Sequence, residues 1–299
     1  MFKIKVPATS ANMGPGFDSL GIALNIYNTF HAEEIENGLK ITGCSPRYKD
    51  ENNLVIKSMR KCFDEIGYKA KGIELNMNCR IPISRGLGSS AACIVGGVIA
   101  ANEIAGVKLS KEDILRIAAE IEGHPDNISP AIFGGMTISV KEGEKVYSEK
   151  INIGRNISFC AIIPDFKLST DKSRGVLPKE IPFVDAVFNV GRAALLITAL
   201  QRGKADLIKI GCRDRLHQDY RGFLINNYNE ITEKCSELDS LGVFLSGAGP
   251  TIMSIINKKD VNFTESLQAY LDTLKDKWEV KKLKIDYKGA AVIKEEKNG

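Results

Sequence analysis

The feature that most constrains this chain is a run of glycine and serine placed directly before a stretch of small side chains. Residues 82–92 read PISRGLGSSAA, and residues 88–105 are rich in Ala, Val and Ile, which is typical of a helix buried on most sides. Glycine lets a backbone approach an anion closely, and a helix N-terminus offers free N–H groups and the positive end of its dipole. The segment therefore predicts a phosphate-binding loop.

Other readings of this segment fit less well. Gly86, Gly88 and Ala91 satisfy the dinucleotide pattern G-x-G-x-x-A, but that pattern needs a hydrophobic strand running into the first glycine. Here the two residues before Gly86 are serine and arginine. The Walker pattern GxxxxGK[ST] does not occur in the sequence. A simple helix N-cap made by the serines remains the plainest alternative.

Composition indicates an ordinary globular protein of 299 residues, with 43% hydrophobic and 26% charged residues. The net charge of +4 is spread over interspersed acidic and basic residues, whereas nucleic-acid binding would favour a concentrated basic face. No run approaches the ~18 apolar residues of a membrane span. We expect a cytoplasmic protein with no nucleic-acid or membrane partner.

Seven cysteines at irregular spacing, without a CxxC pair, indicate free thiols in a reducing compartment. The three histidines are far apart in sequence, so we do not expect a zinc site.

Strand-like and helix-like segments are mixed in both halves, which predicts an α+β fold. A polar stretch near residues 147–156 suggests a boundary between a first domain, 1–153, and a second domain, 154–299. Locally, we expect a first strand that stops at Pro7 and a hairpin turn at Asn37-Gly38.

Three motifs in order resemble those of the GHMP kinases, the superfamily of galactokinase, homoserine kinase, mevalonate kinase and phosphomevalonate kinase. Residues 82–92 resemble the ATP-binding motif, residues 6–18 (VPATSANMGPGFD) the first motif, and residues 246–251 (SGAGPT) the third. The first motif has no Lys or Arg, unlike mevalonate and galactose kinases. With EGHPDN at residues 122–127, it resembles the homoserine kinase family. The likeness extends to about residue 285.

The resemblance implies a two-domain GHMP kinase fold, with an N-terminal βαβ-type nucleotide domain and a C-terminal ferredoxin-like α/β sandwich. It implies phosphorylation of L-homoserine by ATP to O-phospho-L-homoserine, a step of threonine biosynthesis. The expected partner is this small molecule, and a homodimer is expected by analogy.

The resemblance also assigns residues. The expected ATP-binding residues are Pro82, Ile83, Ser84, Arg85, Gly86, Leu87, Gly88, Ser89, Ser90, Ala91 and Ala92. Gly247 and Gly249 belong to a supporting loop. The expected substrate-binding residues are Asn12, Asp18, Asn127, Arg174 and Arg221. Aspartate suits the ammonium group, and the planar fork of arginine suits the carboxylate.

For Mg²⁺, the family uses Ser90 and an acidic residue on the following helix, where we choose Glu120 and keep Glu122 as the alternative. The expected catalytic residues are thus Asn127, Ser90 and Glu120. Asparagine cannot accept a proton, so Asn127 would only orient the hydroxyl, and we predict no dedicated side-chain base. Asp126 is the alternative candidate for that role.

Two alternatives for the function remain. A GHMP kinase acting on another alcohol, such as mevalonate, would have less use for two arginines beside an aspartate. A non-catalytic sensor would be expected to lack a metal ligand or a loop glycine, and neither is missing.

Overall fold

The structure is a computed structural model that describes residues 1–293. Its strands are β1 (Phe2–Ala11), β2 (Leu20–Ile35), β3 (Gly38–Thr42), β4 (Gly72–Cys79), β5 (Met136–Glu142), β6 (Lys145–Ile151), β7 (Ile157–Pro164), β8 (Gly242–Leu245), β9 (Ile252–Asn257), β10 (Trp278–Leu283) and β11 (Ala291–Ile293). Its helices are α1 (Leu54–Ile66), α2 (Ser89–Ala105), α3 (Lys111–Glu122), α4 (Ile128–Phe133), α5 (Thr170–Gly175), α6 (Phe183–Arg202), α7 (Ala205–Gly211), α8 (Gln218–Gly222), α9 (Tyr228–Glu237) and α10 (Phe263–Leu271).

The first sheet has the order β11-β1-β2-β4-β3, with β5 also pairing with β2 and β6 pairing with β5. β3 and β4 are parallel and are connected through α1, which makes a βαβ unit. This confirms the predicted character of the N-terminal half.

The second sheet has the order β10-β7-β9-β8, and all its pairs are antiparallel. Numbered within this unit, the order is 4-1-3-2, with helices between its first and second strands and between its third and fourth. This is the ferredoxin-like arrangement that was predicted, so the fold is α+β with two units.

The end of the described chain returns to the first sheet. The predicted division of the chain into two consecutive domains did not include this return. β11 pairs with β1, with Lys5 opposite Ala291, and Ile285 bridges to Leu24. The proposed boundary at 153/154 lies between β6 and β7, but the first sheet also includes β11, which follows the second unit.

Two local predictions were wrong. β1 does not stop at Pro7 but continues to Ala11, because a bulge between Pro7 and Ala8 shifts the register and accommodates the proline. No hairpin joins β2 to β3, since β4 occupies the edge of β2 and β3 pairs with the far side of β4.

The long helix α2 is central to the first unit, packed on α1, α3, β1 and β2. Two glycines allow this close approach. A Cβ on Gly97 would lie 2.5 Å from the Val55 carbonyl oxygen, and one on Gly96 would meet the Phe30 ring. The N-terminus of α2 is therefore held in a fixed position.

By length and apolar composition alone, α6 is the one helix within residues 1–293 that could cross a membrane. Two of its polar residues bind residues outside the helix: Asp185 pairs with Arg215 at 3.0 Å, and the Asn189 amide donates to the Asp214 carboxylate at 2.6 Å. One such helix is weak evidence for a membrane span.

The close approach of the C-terminal segment to Gly134 predicts how much an alanine at this position lowers the free energy of unfolding. Gly134 and Gly143 both have positive φ, at 71° and 62°. At Gly134 ψ is 171°, a conformation open essentially to glycine alone, so alanine there costs about 1–3 kcal/mol before any contact is counted. Only at Gly134 would the new Cβ meet other backbone, 2.5 Å from the Gly289 nitrogen, whereas Gly143 has open space. We expect Gly134→Ala to lower the free energy of unfolding by about 2 kcal/mol more than Gly143→Ala, measured by urea denaturation. Equal effects would contradict this tight docking.

Candidate active site

One cleft of about 540 Å³ contains most of the predicted functional residues. Four charged or ionisable groups cluster at one end, and we call this the acceptor end: Asp18, Asp126, Arg174 and Arg221. The other end is lined mainly by sulfur-containing, aromatic and aliphatic side chains, and we call it the apolar end: Cys44, Tyr48, Leu54, Met77, Cys79 and Cys93. The glycine loop and the start of α2 also line the cleft.

The glycine loop has the local geometry that the sequence predicted. Ser84, Gly86 and Gly88 have positive φ, at 57°, 75° and 67°, a conformation that glycine adopts without steric cost. Gly88 is the N-cap residue of α2, which begins at Ser89. The loop therefore delivers the free N–H groups of a long helix to the cleft.

The third motif holds this loop in place. The fully buried Ser246 hydroxyl lies 2.6 Å from the Gly86 carbonyl oxygen and 2.7 Å from the Ser10 hydroxyl. The Thr251 amide donates to the Arg85 carbonyl at 3.2 Å. A Cβ on Gly86 would collide with the Ser246 carbonyl, so only glycine fits.

The predicted ATP-binding residues divide into two groups. Those that line the cleft are Ile83, Ser84, Arg85, Gly86, Gly88, Ser89 and Ser90. Leu87, Ala91 and Ala92 are at most 1% exposed and pack in the core, and Pro82 is not among the lining residues. These four can support the loop but do not present a side chain to a ligand.

The structure does not place Glu120 beside Ser90. The Glu120 carboxylate lies outside the cleft, half exposed, 2.9 Å from the Lys61 ammonium and 4.0 Å from the Arg116 guanidinium. Glu122 instead accepts a hydrogen bond of 2.8 Å from the Ser90 hydroxyl and lines the cleft. Glu122 is two residues after Glu120 on α3, which is more than half a helical turn. The Glu122 side chain therefore faces the cleft, whereas the Glu120 side chain faces the outer surface. The choice of Glu120 is therefore replaced by Glu122.

Glu122 and Ser90 form an oxygen donor set suited to Mg²⁺. Burial raises the pKa of Glu122, although the Ser90 hydrogen bond and nearby His124 act in the opposite direction. A bound cation would favour its charged form. Residues 1–293 contain no group of three or more His, Cys, Asp or Glu able to hold a metal. Mg²⁺ usually takes one or two carboxylates and completes its shell with phosphates and water, so one carboxylate beside one hydroxyl is a sufficient set of protein donors.

A hydrogen-bonded row crosses the floor of the cleft. His124 Nδ1 lies 3.0 Å from the buried Asp126 carboxylate, and the Asn127 amide approaches the same oxygen at 3.4 Å. The Thr9 hydroxyl donates to the Asn127 side-chain oxygen at 2.7 Å. Burial alone would lower the pKa of His124, but the hydrogen bond and charge of Asp126 outweigh it and raise this pKa. Asp126 is thus paired with His124, and the Asn127 oxygen is oriented by Thr9.

Asp18 and Arg174 form a bidentate ion pair, with distances of 2.8 and 3.3 Å, at the acceptor end. Asn12 positions this region, because its side-chain oxygen accepts from the Asp18 amide at 2.9 Å and its nitrogen donates to the Gly247 carbonyl at 2.9 Å. The predicted substrate residues from the first motif and from α5 therefore meet, although they are separated by about half the chain.

Arg221 is almost fully buried, at 1% exposed, yet its guanidinium borders the cleft. It donates to the carbonyl oxygen of Gly247 at 3.0 Å and to that of Ser173 at 3.4 Å. Burial, followed by repulsion from Arg174, lowers the pKa of Arg221 to about 10. The group is charged at neutral pH and is pre-positioned by neutral acceptors.

The third acceptor for Arg221 is His217, whose part in the site the sequence analysis missed. The Arg221 guanidinium donates to His217 Nδ1 at 3.3 Å, and the opposite ring nitrogen donates to the Gly14 carbonyl at 2.8 Å. Since arginine has no acceptor atom, Nδ1 must be unprotonated and the ring neutral. Burial lowers the pKa of His217, which agrees with this state. In the sequence, the only indication of this role is that His217 lies one helical turn before Arg221.

The Phe17 ring lies beneath the acceptor end. Its centroid is 5.1 Å from the Arg221 guanidinium carbon and 5.7 Å from that of Arg174, and 5.2 Å from the His217 ring centroid. An aromatic face stabilises nearby cations. Phe17 therefore helps to hold two positive charges close together.

The apolar end was not predicted by any sequence motif. Its residues come from the loop after β3, the start of α1, the end of β4 and the second turn of α2. Asn53 anchors this end, accepting from the Val55 amide at 2.9 Å and donating to the Tyr48 carbonyl at 2.7 Å. Side chains that converge from four elements leave no local pattern in a sequence.

Comparisons with known proteins agree with this geometry. The chain matches the family GHMP kinases N terminal domain over residues 53–135 and the family GHMP kinases C terminal over residues 196–271. It is 55% identical to a homoserine kinase of Clostridium botulinum (strain Okra / Type B1) over 292 residues, covering 98% of both chains. It is 49% identical to a homoserine kinase of Clostridium beijerinckii, covering 98% of this chain and 99% of that protein.

Solved structures show the same relationship. The crystal structure of homoserine kinase from Cytophaga hutchinsonii superposes with a TM-score of 0.87 at 28% identity, covering 98% of this chain and 97% of that one. L. major mevalonate kinase shares the fold with a TM-score of 0.72, at 16% identity and with 96% of each chain covered. The full-length identity, the two family matches and the arrangement of the three motifs around one cleft show that this chain belongs to the homoserine kinase family of the GHMP kinases.

Proposed function

We propose that the cleft transfers the γ-phosphoryl group of ATP to the side-chain hydroxyl of L-homoserine. The observation that carries this proposal is the acceptor end, where carboxylates and guanidinium groups lie together beside a phosphate-binding loop. A free amino acid has both an ammonium and a carboxylate group, so it needs both signs of charge in its site. Mevalonate has no ammonium group and would make no use of the acidic residues of this end.

The nucleotide lies with its phosphates on the glycine loop and its base at the apolar end. Backbone N–H groups at the start of α2 donate to phosphate oxygens, and the hydroxyls of Ser89 and Ser90 add further donors. The side chains of Tyr48, Leu54 and Met77 offer the apolar contact that a purine ring requires. This orientation directs the terminal phosphate toward the acceptor end.

The amino acid binds across the Asp18–Arg174 pair. Arg221 and Arg174 hold the carboxylate, with Arg221 fixed by its buried acceptors. Asp18 receives the ammonium group, and Asp126 adds negative charge at the floor of the cleft. Because the two charges of the ligand match a pair that already exists, little reorganisation is needed on binding.

The remaining residues position the reacting hydroxyl. Asn127, oriented by Thr9, orients it toward the phosphate. Phosphoryl transfer passes through a loose transition state, so alignment and charge neutralisation supply most of the catalysis. No side chain is required as a base, and the hydroxyl proton passes to a phosphate oxygen or to solvent. Ser90 and Glu122 would hold Mg²⁺, which neutralises charge on the phosphates when bound.

ADP release with L-homoserine, D-homoserine, L-serine, L-threonine and mevalonate tests the proposal directly. We expect turnover selective for L-homoserine, because only this compound combines the correct chirality, both charges and a hydroxyl one carbon beyond that of serine. Turnover on mevalonate instead would agree with the fold but would refute the assignment of the acceptor end to an amino acid. Binding of ATP and L-homoserine without turnover on any compound would indicate a sensor.

The two glutamates of α3 give a matched test of the metal site. Glu122→Gln removes the charge beside Ser90, and we expect kcat to fall about a hundredfold, with a raised Mg²⁺ requirement. Glu120→Gln changes only two surface ion pairs, with Lys61 and Arg116, and is expected to leave kcat within about twofold of wild type. The assignment fails if Glu120→Gln is the more damaging change, measured by ADP release over a titration of MgCl₂.

His217 gives a test of how the carboxylate site is positioned. His217→Gln retains a donor toward Gly14 but removes the acceptor for Arg221, so we expect KM for L-homoserine to rise about tenfold with KM for ATP unchanged. His217→Asn places an amide oxygen near the position of Nδ1 and should recover much of the affinity. Equal KM values in the two variants would refute the role of Nδ1.

The same residue predicts a pH effect. Protonation of His217 would abolish the acceptor and place a third cation beside the two arginines. Burial lowers the pKa of His217 below its usual value of 6.5, so the neutral form persists through neutral pH. We expect KM for L-homoserine to rise only as pH falls below 6.5, and the His217→Asn variant should not show this increase. An identical pH profile in this variant would rule out His217 as the titrating group.

A further inference from the structure

The outward side of α6 is apolar and is left uncovered by the rest of residues 1–293. Four large side chains lie along its first half, exposed by 84%, 63%, 56% and 73% in this order: Phe183, Val184, Val187 and Val190. Exposed small residues continue the same side over the second half: Gly191, Ala194 and Thr198. Their spacing places them on one side of the helix, and we call these seven residues the outer face.

The charged residues of α6 point away from the outer face. Asp185 pairs with Arg215, and the Arg192 guanidinium lies 3.3 Å from the centroid of the Phe188 ring. At about 100° per residue, Asp185 and Arg192 lie on the side opposite to the outer face. Over residues 183–201 the outward side of the helix therefore carries no charge, although charged and polar residues are usual on a helix side that faces water.

Gly191 lies near the middle of this 20-residue helix, where glycine is less favourable than alanine. Close packing inside the chain does not explain it, because a Cβ on Gly191 would have nothing within 4 Å. Glycine in such a place is useful when a second backbone comes close to the helix. The outer face thus has room for an approach that no part of residues 1–293 makes.

We propose that the outer face binds the outer face of a second copy of this chain, with the two α6 helices antiparallel about a two-fold axis between Val190 and Gly191. A two-fold axis brings the same surface of both copies together, so residues at equal distances on either side of the axis meet. The pairing places large side chains against small ones: Val190 against the partner's Gly191, Val187 against the partner's Ala194, and Phe183 against the partner's Thr198. The outer face is therefore complementary to itself.

The size of the outer face agrees with a dimer interface. Its four large side chains expose roughly 400 Å² of apolar surface, a size at which an exposed apolar patch usually marks an interaction site. A stable interface buries about 800 Å² on each partner, with an apolar core and a polar rim. The outer face supplies about half of this area and would form the core.

A lipid surface fits the outer face less well than a second copy does. Helices that lie on membranes have a polar face rich in Lys and Arg, and their binding increases with the apolar area that they bury. The side of α6 opposite the outer face instead packs on the protein: the Asn189 amide donates to the Pro15 carbonyl at 3.4 Å, and Leu196 and Leu200 are buried. The small residues in the second half of the outer face add little apolar area for lipid, but they fit a second helix.

Sedimentation equilibrium of the full chain tests the proposal. We expect a reversible dimer with a dissociation constant of about 10 μM or lower. Val190→Asp places a carboxylate on both sides of the axis and should raise this constant at least about hundredfold. Val261→Asp is the matched control, because Val261 is 77% exposed but lies outside α6, and it should leave the constant unchanged.

A wild-type protein that stays monomeric at about 100 μM would overturn the proposal. A dimer that Val190→Asp leaves intact would overturn it as well. Because Val190 is largely exposed in the single chain, the variant is expected to fold, and far-UV circular dichroism with thermal melting checks this.

Gly191→Leu separates close helix packing from general hydrophobic adhesion. Leucine favours the helix and enlarges the apolar surface, and in a single chain its side chain has open space. Between two closely packed helices it would hold the backbones apart, so we expect the dissociation constant to rise at least about tenfold. Tighter association of this variant would refute the antiparallel packing at Gly191.

Co-sedimentation with vesicles of phosphatidylcholine and phosphatidylglycerol tests the lipid alternative. We expect the wild type to stay in the supernatant. Sedimentation with the vesicles that Val190→Asp abolishes would overturn the second copy and assign the outer face to a lipid surface. None of these measurements uses turnover, so the proposal stands or fails independently of the proposed function.

Discussion

The cleft depends on one small contact between three segments that are far apart in the chain. Ser10, Gly86 and Ser246 meet at the buried Ser246 hydroxyl, with separations of 2.6 and 2.7 Å. Each of the three motifs contributes one of these residues, so movement of any one would displace the phosphate loop relative to the acceptor end. The contact also accounts for the composition of the motifs, because there is no room beside Gly86 for a side chain. Glycine and serine occur here for packing as much as for binding phosphate.

The second constraint is the buried charge of Arg221. Removing a guanidinium from water is costly unless it is well paired, and within residues 1–293 its hydrogen bonds go to carbonyl oxygens and to a neutral histidine rather than to a carboxylate. Neutral acceptors fix the direction of the group but offset only part of its charge. A positive charge therefore remains locally at Arg221, which favours an anionic ligand group at this point. A carboxylate partner from the protein would hold Arg221 equally well, but it would compete with the ligand.

Much of the fold could be predicted from local patterns. α1 has a local start and stop signal, since the Asn53 side chain caps its first turn and Gly67 ends it in the left-handed conformation. Ser110 makes a capping box with Asp113 at the start of α3. Errors arose where a long-range contact decided the outcome. The turn at Asn37-Gly38 has hairpin residues, yet β4 takes the edge that a hairpin would need. Neither this competition for an edge nor the bulge that carries β1 past Pro7 has a local signal.

The site shows the same limit on a finer scale. Asn12, Asp18 and Asn127 were predicted from motifs, and all three line the cleft. Their positions relative to the glycines of those motifs can be seen in the sequence itself. The choice between Glu120 and Glu122 depended on the rotation of α3 about its axis, which is set by packing against α2 and not by any adjacent residue. His217 was missed because its burial and its contact with Arg221 depend on the fold, and the sequence alone gives neither. The apolar end, assembled from four elements, had no motif at all.

The return of β11 to β1 has a consequence for how the protein is made. β1 precedes the second unit in the chain and β11 follows it, so the β1 edge of the first sheet stays unpaired while the second unit is synthesised. Domains generally fold N-terminal first during synthesis, but here the phosphate loop rests on a sheet whose edge is completed by residues 291–293, which follow the second unit. The exposed edge of β1 is a template for pairing with other chains during that interval. Completion of the first sheet therefore waits for synthesis of the second unit.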